Sequence, residues 1–321
     1  MAMVSKVATV ALCSTWLYTF ALKIGLYNTD TRITRNNFTL QSIGLVFGCT
    51  FIPTKKSGAS AQTFDSVFDD PFTRSYPYKS PDFERLNEQD DSEFYSKPRF
   101  TEHVDDQAVE LLKSYYSEIV EGLIDPYSCE LPVVLDIGAS WNSHLPELYY
   151  NKIKETPANK QEGQDNDFFS KKHKVGCSHK PGKAIGIGLN SAELAFNDQL
   201  TDYLVQDLNN NPYVPYPAAS IDLVVCAFTI DYLTRPRELL SECYRILRPG
   251  GKVAVVFSDR LFVTKAVRMW TGMGIKGKRV TALERARMIG THLHFAAPPG
   301  KGQGWKGLQA RCLAVPGVGG G

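Results

Sequence analysis

The sequence predicts an α/β domain built on a doubly wound parallel sheet, and three observations predict it. Short apolar runs stop abruptly at turn residues, as in PVVLDIG at 132–138 and AIGIG at 184–188. Strands buried on both faces read this way, without polar alternation. These runs alternate with amphipathic helical stretches, the order that gives parallel strands and crossover helices. The last helix closes at Arg248-Pro249-Gly250-Gly251 and leads straight into a further apolar run, Lys252–Phe257, where Pro and Gly stop the helix and turn the chain. The 321 residues, 43% of them hydrophobic and 22% charged, suffice for one large domain with extensions.

The elements follow in chain order. Val7 to Ala21 is apolar between Lys6 and Lys23, shorter than the ~20 residues that span a bilayer comfortably. It reads as a signal or anchor core. A second charge-free stretch, Asn36–Thr54, precedes Ala59-Ser60-Ala61, which has the form of a cleavage site. Residues 1–61 are therefore expected to be a targeting leader, or a disordered or anchor segment, outside the fold; the pair of apolar segments resembles the bipartite leaders of plastid proteins, with a secretory or membrane-anchored location or a cytoplasmic one as alternatives, and allows weak membrane association. Residues 62–100 read as an irregular N-terminal arm. The domain proper is expected at 101–316, with a flexible tail at 317–321. Thr101–Ile124 is predicted helical, because Val104, Ala108, Leu111, Leu112, Tyr115, Ile119 and Leu123 form one stripe. Residues 154–183 are polar and aperiodic and read as a surface insertion. Ser191–Asn197 starts a helix with Ser191 as cap. Tyr203–Gln206 and Ile221–Cys226 are the third and fourth strands, Arg235–Leu247 the helix before the fifth. Val263–Trp270 reads as a helix, Ile289–Ala297 as a late strand carrying His292 and His294, and Trp305–Val315 as the final strand.

Charge and cysteine narrow the function classes. Net charge is only +2, which argues against a wholly basic nucleic-acid-binding protein. Residues 65–106 carry twelve acids against five bases, whereas residues 260–321 carry eleven bases and the single acid Glu284. The basic C-terminal part makes RNA the alternative partner to a small-molecule acceptor. Seven cysteines at irregular spacing, with no CxxC, read as free thiols. His173, Cys177 and His179 supply only three ligands in the polar insertion, so no metal site is expected.

Five blocks now fall into a recognisable order: VLDIGAS at 134–140, GIGLN at 186–190, LVQDL at 204–208, IDLVVCAFTIDYL at 221–233 and RILRPGGKVAVVF at 245–257. They resemble class I S-adenosylmethionine-dependent methyltransferases, type-11 family, over about 125 residues. The resemblance implies a Rossmann-like, mostly parallel seven-stranded sheet with helices on both faces and one antiparallel strand, here the last. It implies S-adenosylmethionine as methyl donor, bound beyond the carboxyl ends of the strands where strand order reverses. Asp136 would orient the first loop or meet the donor's amino group, with Gly138 leaving room for backbone approach. Ser140 and Trp141 follow in that loop. Gly188 and Asn190 end the second strand, where Asn190 stands in the place of the usual ribose-binding acid and offers an amide instead. Asp207 and Leu208 would face the adenine; Cys226 and Phe228 would lie beneath the cofactor.

One block departs from the family. The usual GxGxG reads GASWNSH at 138–144, without the second and third glycines. The run SWNSHLP, the upstream FYSKPRF at 94–100 and the His103/Asp105 pair are similar to a plant and algal plastid subgroup of unknown substrate. Methyl transfer needs proximity and alignment more than a dedicated base, so no universal catalytic residue is expected. Asp231, Tyr232 and His144 are the candidates facing the cleft. The altered loop also allows a non-catalytic binding or assembly protein.

Overall fold

The computed structural model describes residues 6–13, 62–63, 65–69, 71–124, 130–150, 182–272, 280–298 and 304–313. The strands are β1 Lys6–Cys13, β2 Gln62–Thr63, β3 Val134–Ile137, β4 Ala184–Gly188, β5 Asp202–Val205, β6 Ile221–Ala227, β7 Leu247–Phe257 and β8 Trp305–Leu313. The main helices are α1 Asp106–Glu121, α2 Ser191–Phe196, α3 Pro236–Ile246 and α4 Ala282–Ala296. The sheet order is β2-β8-β1-β7-β6-β3-β4-β5. Its part β7-β6-β3-β4-β5 is wholly parallel. The chain fills one side of β3 with β4 and β5, then returns to the other side with β6 and β7. The reversal between β3 and β6 is the crevice in which such sheets bind ligands.

Alternate residues of each strand face opposite layers. In β6 and β7, Val224, Cys226, Val253, Val255 and Phe257 join one core with Leu239, Leu240, Cys243 and Ile246 of α3 and Ala286, Ile289 and Leu293 of α4. Leu223, Val225, Ala254 and Val256 join the other, with Ala108, Leu112, Tyr115, Tyr116 and Val120 of α1. Both faces are covered, which is why the strands carry unbroken apolar runs.

The predicted parallel core and its helices are present, and several other expectations are corrected. The sheet has eight strands among the described residues, not seven. Lys6–Cys13, expected to open a targeting core, is a strand pairing in parallel with both β7 and β8. The final strand runs Trp305–Leu313 and is parallel to β1; the antiparallel pairing is that of Gln62–Thr63 with β8. The late strand is instead helix α4. Thr281 and Glu284 form a capping box that starts it, and Ala282, Ala286, Ile289, Leu293 and Ala296 bury one helical stripe. Residues 263–270 contribute only the one-turn helix Arg268–Thr271, ended by Gly272 in the left-handed region. Helix α1 begins later than predicted, at Asp106, because the Asp105 carboxylate caps Ala108 N at 2.9 Å. Cys312 is disulfide-bonded, against the expectation of free thiols, while Cys226 and Cys243 are free and buried. Most of the insertion, including His173, Cys177 and His179, and residues 14–61 and 314–321 lie outside the described residues. Among those described, no helix is long and apolar enough to cross a membrane.

Residues 71–103, which include most of the expected 62–100 arm, carry only the short helical turns Ser80–Phe83 and Asp91–Phe94 and are firmly attached. Phe72 stacks on His294 and the Tyr76 hydroxyl lies 2.7 Å from His292 Nδ1 on α4. The main anchor is Asp91, which is 4% exposed. It accepts Lys265 Nζ at 2.8 Å, Arg85 Nη1 at 2.7 Å and Asn209 Nδ2 at 2.9 Å. Burial alone would raise its pKa; the bonds from Lys265, Arg85 and Asn209 outweigh burial and hold it below the ordinary carboxylate value.

Two outcomes are expected from this anchor. Lys265→Met strips a fully buried partner and should cost about 2 kcal/mol in urea unfolding, with Arg85 retaining the carboxylate. A depressed folded pKa gives stability that is present above the unfolded value and lost as pH falls through the folded one. Asp91→Asn should therefore flatten the acid limb of a stability-versus-pH curve below the ordinary carboxylate range.

Candidate functional site

The loop after β3 is the first wall of the site. Gly138 has φ +76°, and Gly138 N and Ala139 N both donate to Ile187 O, at 2.8 and 2.9 Å. A Cβ at Gly138 would lie 2.2 Å from Thr229 Oγ1, and one at Gly188 would lie 2.1 Å from the Ala139 carbonyl oxygen. Both glycines are thus demanded by protein packing at the crevice, before any ligand is considered.

Side-chain amides hold the loop from there on. Gln199 accepts from Ser143 N and Leu145 N and donates to Leu145 O at 2.7 Å. Asn197 Nδ2 donates to Ser140 O at 2.8 Å and to Ser143 Oγ at 2.9 Å. Asn142 Oδ1 accepts from His144 N at 2.9 Å. Sequence reading found the missing glycines but not this brace. The signal for it was the pair Asn197 and Gln199, polar residues at the end of a short helix that are 4% and 1% exposed in the fold.

Beyond the strand ends lies a cavity of about 340 Å³. Asp136, Gly138, Ser140, His144, Gly188, Asn190, Asp207, Leu208, Phe228 and Tyr232 all line it. Trp141, Cys226 and Asp231 do not appear in the lining. Trp141 points to the arm, its Nε1 donating to Thr101 O at 3.3 Å. Cys226 is buried in the core under α3, where burial pushes its thiol up. Asp231 is buried, 4% exposed.

Asn190 lines the cavity, yet its amide is fully used. Oδ1 accepts from Ala192 N and Glu193 N, and Nδ2 donates to Tyr95 O and Ser96 O. It is the cap of α2, in place of the predicted Ser191. The acid at this end of β4 is Glu193, missed by sequence reading. It lines the cavity and accepts Arg99 N at 2.7 Å and Ser140 Oγ at 2.6 Å. Asp207 takes the turn role seen in its sequence context, accepting from Asn209 N and from Asn210 Nδ2, both at 2.8 Å.

Burial sets the protonation states. It raises Asp136 to about 7, against a hydrogen bond from Ser143 that opposes the rise. Burial lowers His144 to about 4, with Lys113 and His103 acting the same way. His144 Nδ1 is buried with no hydrogen-bond partner, and Nε2 is 3.6 Å from Glu102. Tyr232 Oη accepts from Phe262 N at 2.9 Å. His144 and Phe228 both have positive φ, 54° and 53°, and their rings meet edge to face at 6.3 Å. Non-glycine residues held in the left-handed region cost about 1–3 kcal/mol each and gather at ligand sites.

Comparison with known proteins bears on part of this frame. The Methyltransferase domain family matches residues 183–255, from β4 to β7; the match begins after the loop that follows β3. A Mycolicibacterium smegmatis protein described as a probable S-adenosylmethionine-dependent methyltransferase is 42% identical over 48 residues, 15% of this chain and 19% of that one. The ubiquinone/menaquinone biosynthesis C-methyltransferase UbiE of Rhizobium etli is 34% identical over 105 residues, 31% of this chain and 40% of that one. The chain thus spans less than half the length of either relative. Solved structures similar to it include S-adenosylmethionine-dependent methyltransferases of Mesorhizobium loti (16% identical, 44% of this chain, 52% of that one, TM-score 0.24) and Archaeoglobus fulgidus (19%, 44%, 48%, 0.25).

The glycine loop yields a direct test. Gly138→Ala should lower stability by about 2–4 kcal/mol, from positive φ and the Thr229 clash together. Thr229→Ala in the same chain should recover part of that loss. Chemical denaturation of the single and double variants measures both effects.

Proposed function

We propose that the chain is a class I S-adenosylmethionine-dependent methyltransferase acting on a small-molecule acceptor. The observation that carries this reading is the cavity at the β3/β6 crevice, walled by Asp136, Gly138, Glu193, Asp207, Leu208 and Phe228. It adjoins strands that match methyltransferase domains.

The residues fit the donor. Asp136 is a carboxylate 5% exposed, held near neutrality for want of a cation. The donor's ammonium group would supply that charge and draw the carboxyl into its ionised form. Glu193 keeps lone pairs beyond those taken by Arg99 N and Ser140 Oγ, which suits ribose hydroxyls and replaces the role expected of Asn190. Asp207 and Leu208 form the adenine end, one polar and one apolar. When bound, S-adenosylmethionine supplies a sulfonium-activated methyl group, which passes to an acceptor nucleophile by in-line displacement while the S–C electron pair stays on sulfur.

The chain's own contribution is alignment and exclusion of water. Phe228 and His144, clamped in strained backbone, fix the floor where acceptor and donor meet. Of the three acid-base candidates, His144 and Tyr232 reach the cavity and Asp231 does not. The neutral His144 has an unpartnered Nδ1 to receive an acceptor proton. Its low pKa suits an acceptor that gives up its proton readily.

Asp136 makes the reading testable by pH. Only its ionised form pairs with an ammonium, so affinity for S-adenosylhomocysteine should rise about tenfold from pH 6 to pH 8. Asp136→Asn should weaken binding and abolish that slope. Ligand-free protein should behave oppositely: a carboxyl whose folded pKa is raised loses stability as pH climbs toward about 7. Calorimetry at the two pH values decides, and absence of any binding by the full chain would overturn the reading.

A further inference from the structure

We infer that the acceptor is a flat apolar molecule carrying an anionic oxygen, and that Arg99 is the residue that binds this oxygen. The inference rests on the methyltransferase reading above and adds the acceptor class to it.

Arg99 lies on the arm where it roofs the cavity, and it lines that cavity with Tyr95 and His103. Its backbone N–H bonds Glu193 on one side. Its guanidinium lies against three rings on the other: Phe94 and Phe262 at 5.0 Å, and Tyr95 at 5.8 Å. Rings satisfy the faces of a guanidinium, not the N–H bonds in its plane. Those remain almost unused. Nη2 reaches Phe94 O only at 3.4 Å, and Nη1 is buried with no hydrogen-bond partner. A buried cationic donor left unpaired beside a cavity is costly unless a ligand completes it.

The acids of the cavity do not complete it. Asp91 is taken by Lys265, Arg85 and Asn209; Asp136 is bonded by Ser143; Glu193 accepts from the Arg99 backbone and Ser140, not from the guanidinium; Asp207 closes its own turn. Burial lowers the pKa of both histidines that line the cavity and disfavours their charged forms. The aromatic residues that line the cavity are Tyr95, Phe228, Tyr232 and Phe262, walls that suit a flat ring system, and two of them, Tyr95 and Phe262, also flank the guanidinium. Planar N–H donors beside aromatic walls select a carboxylate or phenolate on such a ring, and the neutral isostere leaves the donor unpaired.

The test uses the full chain, with and without saturating S-adenosylhomocysteine. Benzoate and 2-naphthoate are titrated against benzamide and 2-naphthamide, with binding followed by calorimetry or ligand-observed NMR. The anions should bind about tenfold or more tightly than the amides, as a charged hydrogen bond predicts. Arg99→Gln should abolish the preference, Arg99→Lys should keep part of it, and neither should shift S-adenosylhomocysteine affinity more than about threefold. Equal binding of anion and amide by the unaltered chain overturns the inference. So does a preference that survives Arg99→Gln, or a loss of S-adenosylhomocysteine binding in Arg99→Gln as large as the loss of the anion, since Arg99 would then hold the donor's carboxylate. If the chain binds no S-adenosylhomocysteine, the donor reading fails while the anion comparison, run alone, still decides the role of Arg99.

Discussion

The geometry of the site depends on one constraint: the loop after β3 must leave the sheet at Gly138 and stay open over the crevice. Two backbone bonds to Ile187 O fix its start. The amides of Asn197 and Gln199 then hold Ser140, Ser143 and Leu145 from below. A glycine-rich loop reaches such a shape through backbone freedom. Here the shape is imposed by paired side-chain hydrogen bonds, each worth about 1 kcal/mol net and costly to leave half-made. Because that brace lies between β4 and β5, the loop, the end of β4 and the cap of α2 behave as one unit.

The arm depends on the same unit. Its carbonyls at Tyr95 and Ser96 are bound by the Asn190 amide that also caps α2, and Arg99 N is bound by Glu193. Ser140 shares that carboxylate. On the far side Asp91 is pinned by Lys265, Arg85 and Asn209. The arm is therefore stretched over the cavity between the β4 end and the loops that follow β5 and β7. The cost of the missing glycines is met by connectivity, and the gain is a roof carrying Tyr95, Arg99 and His103.

The parallel core was legible because burial on both faces writes continuous apolar runs, and PVVLDIG, AIGIG and IDLVVCA mark β3, β4 and β6 within a residue or two. What sequence periodicity could not show was long-range partnership. Lys6–Cys13 has the composition of a membrane-directed core, and only its pairing with β7 and β8 reveals a strand. Ile289–Ala297 taken alone reads as a strand, because the Thr281 and Glu284 capping box that starts the helix lies upstream of it. Asp136, Gly138, Gly188, Asp207, Leu208 and Phe228, each marked by its sequence block, line the cavity. Asn190 reached the cavity with its amide already spent, and Glu193 was overlooked because a helix-N-terminal acid looks like routine capping. Trp141, conspicuous in the sequence, turns outward to Thr101 O. The brace of Asn197 and Gln199 was invisible, since polar residues after a short helix are ordinarily solvated.

Amide hydrogen exchange on the full chain, with and without S-adenosylhomocysteine, tests most directly whether this braced loop seats the donor. If the loop seats the donor, the ligand slows exchange at Gly138 to Leu145, Leu189 to Glu193 and Gln206 to Asn209 and leaves α1 unchanged. Protection that appears elsewhere, or a loop that exchanges equally fast with saturating ligand, would contradict it.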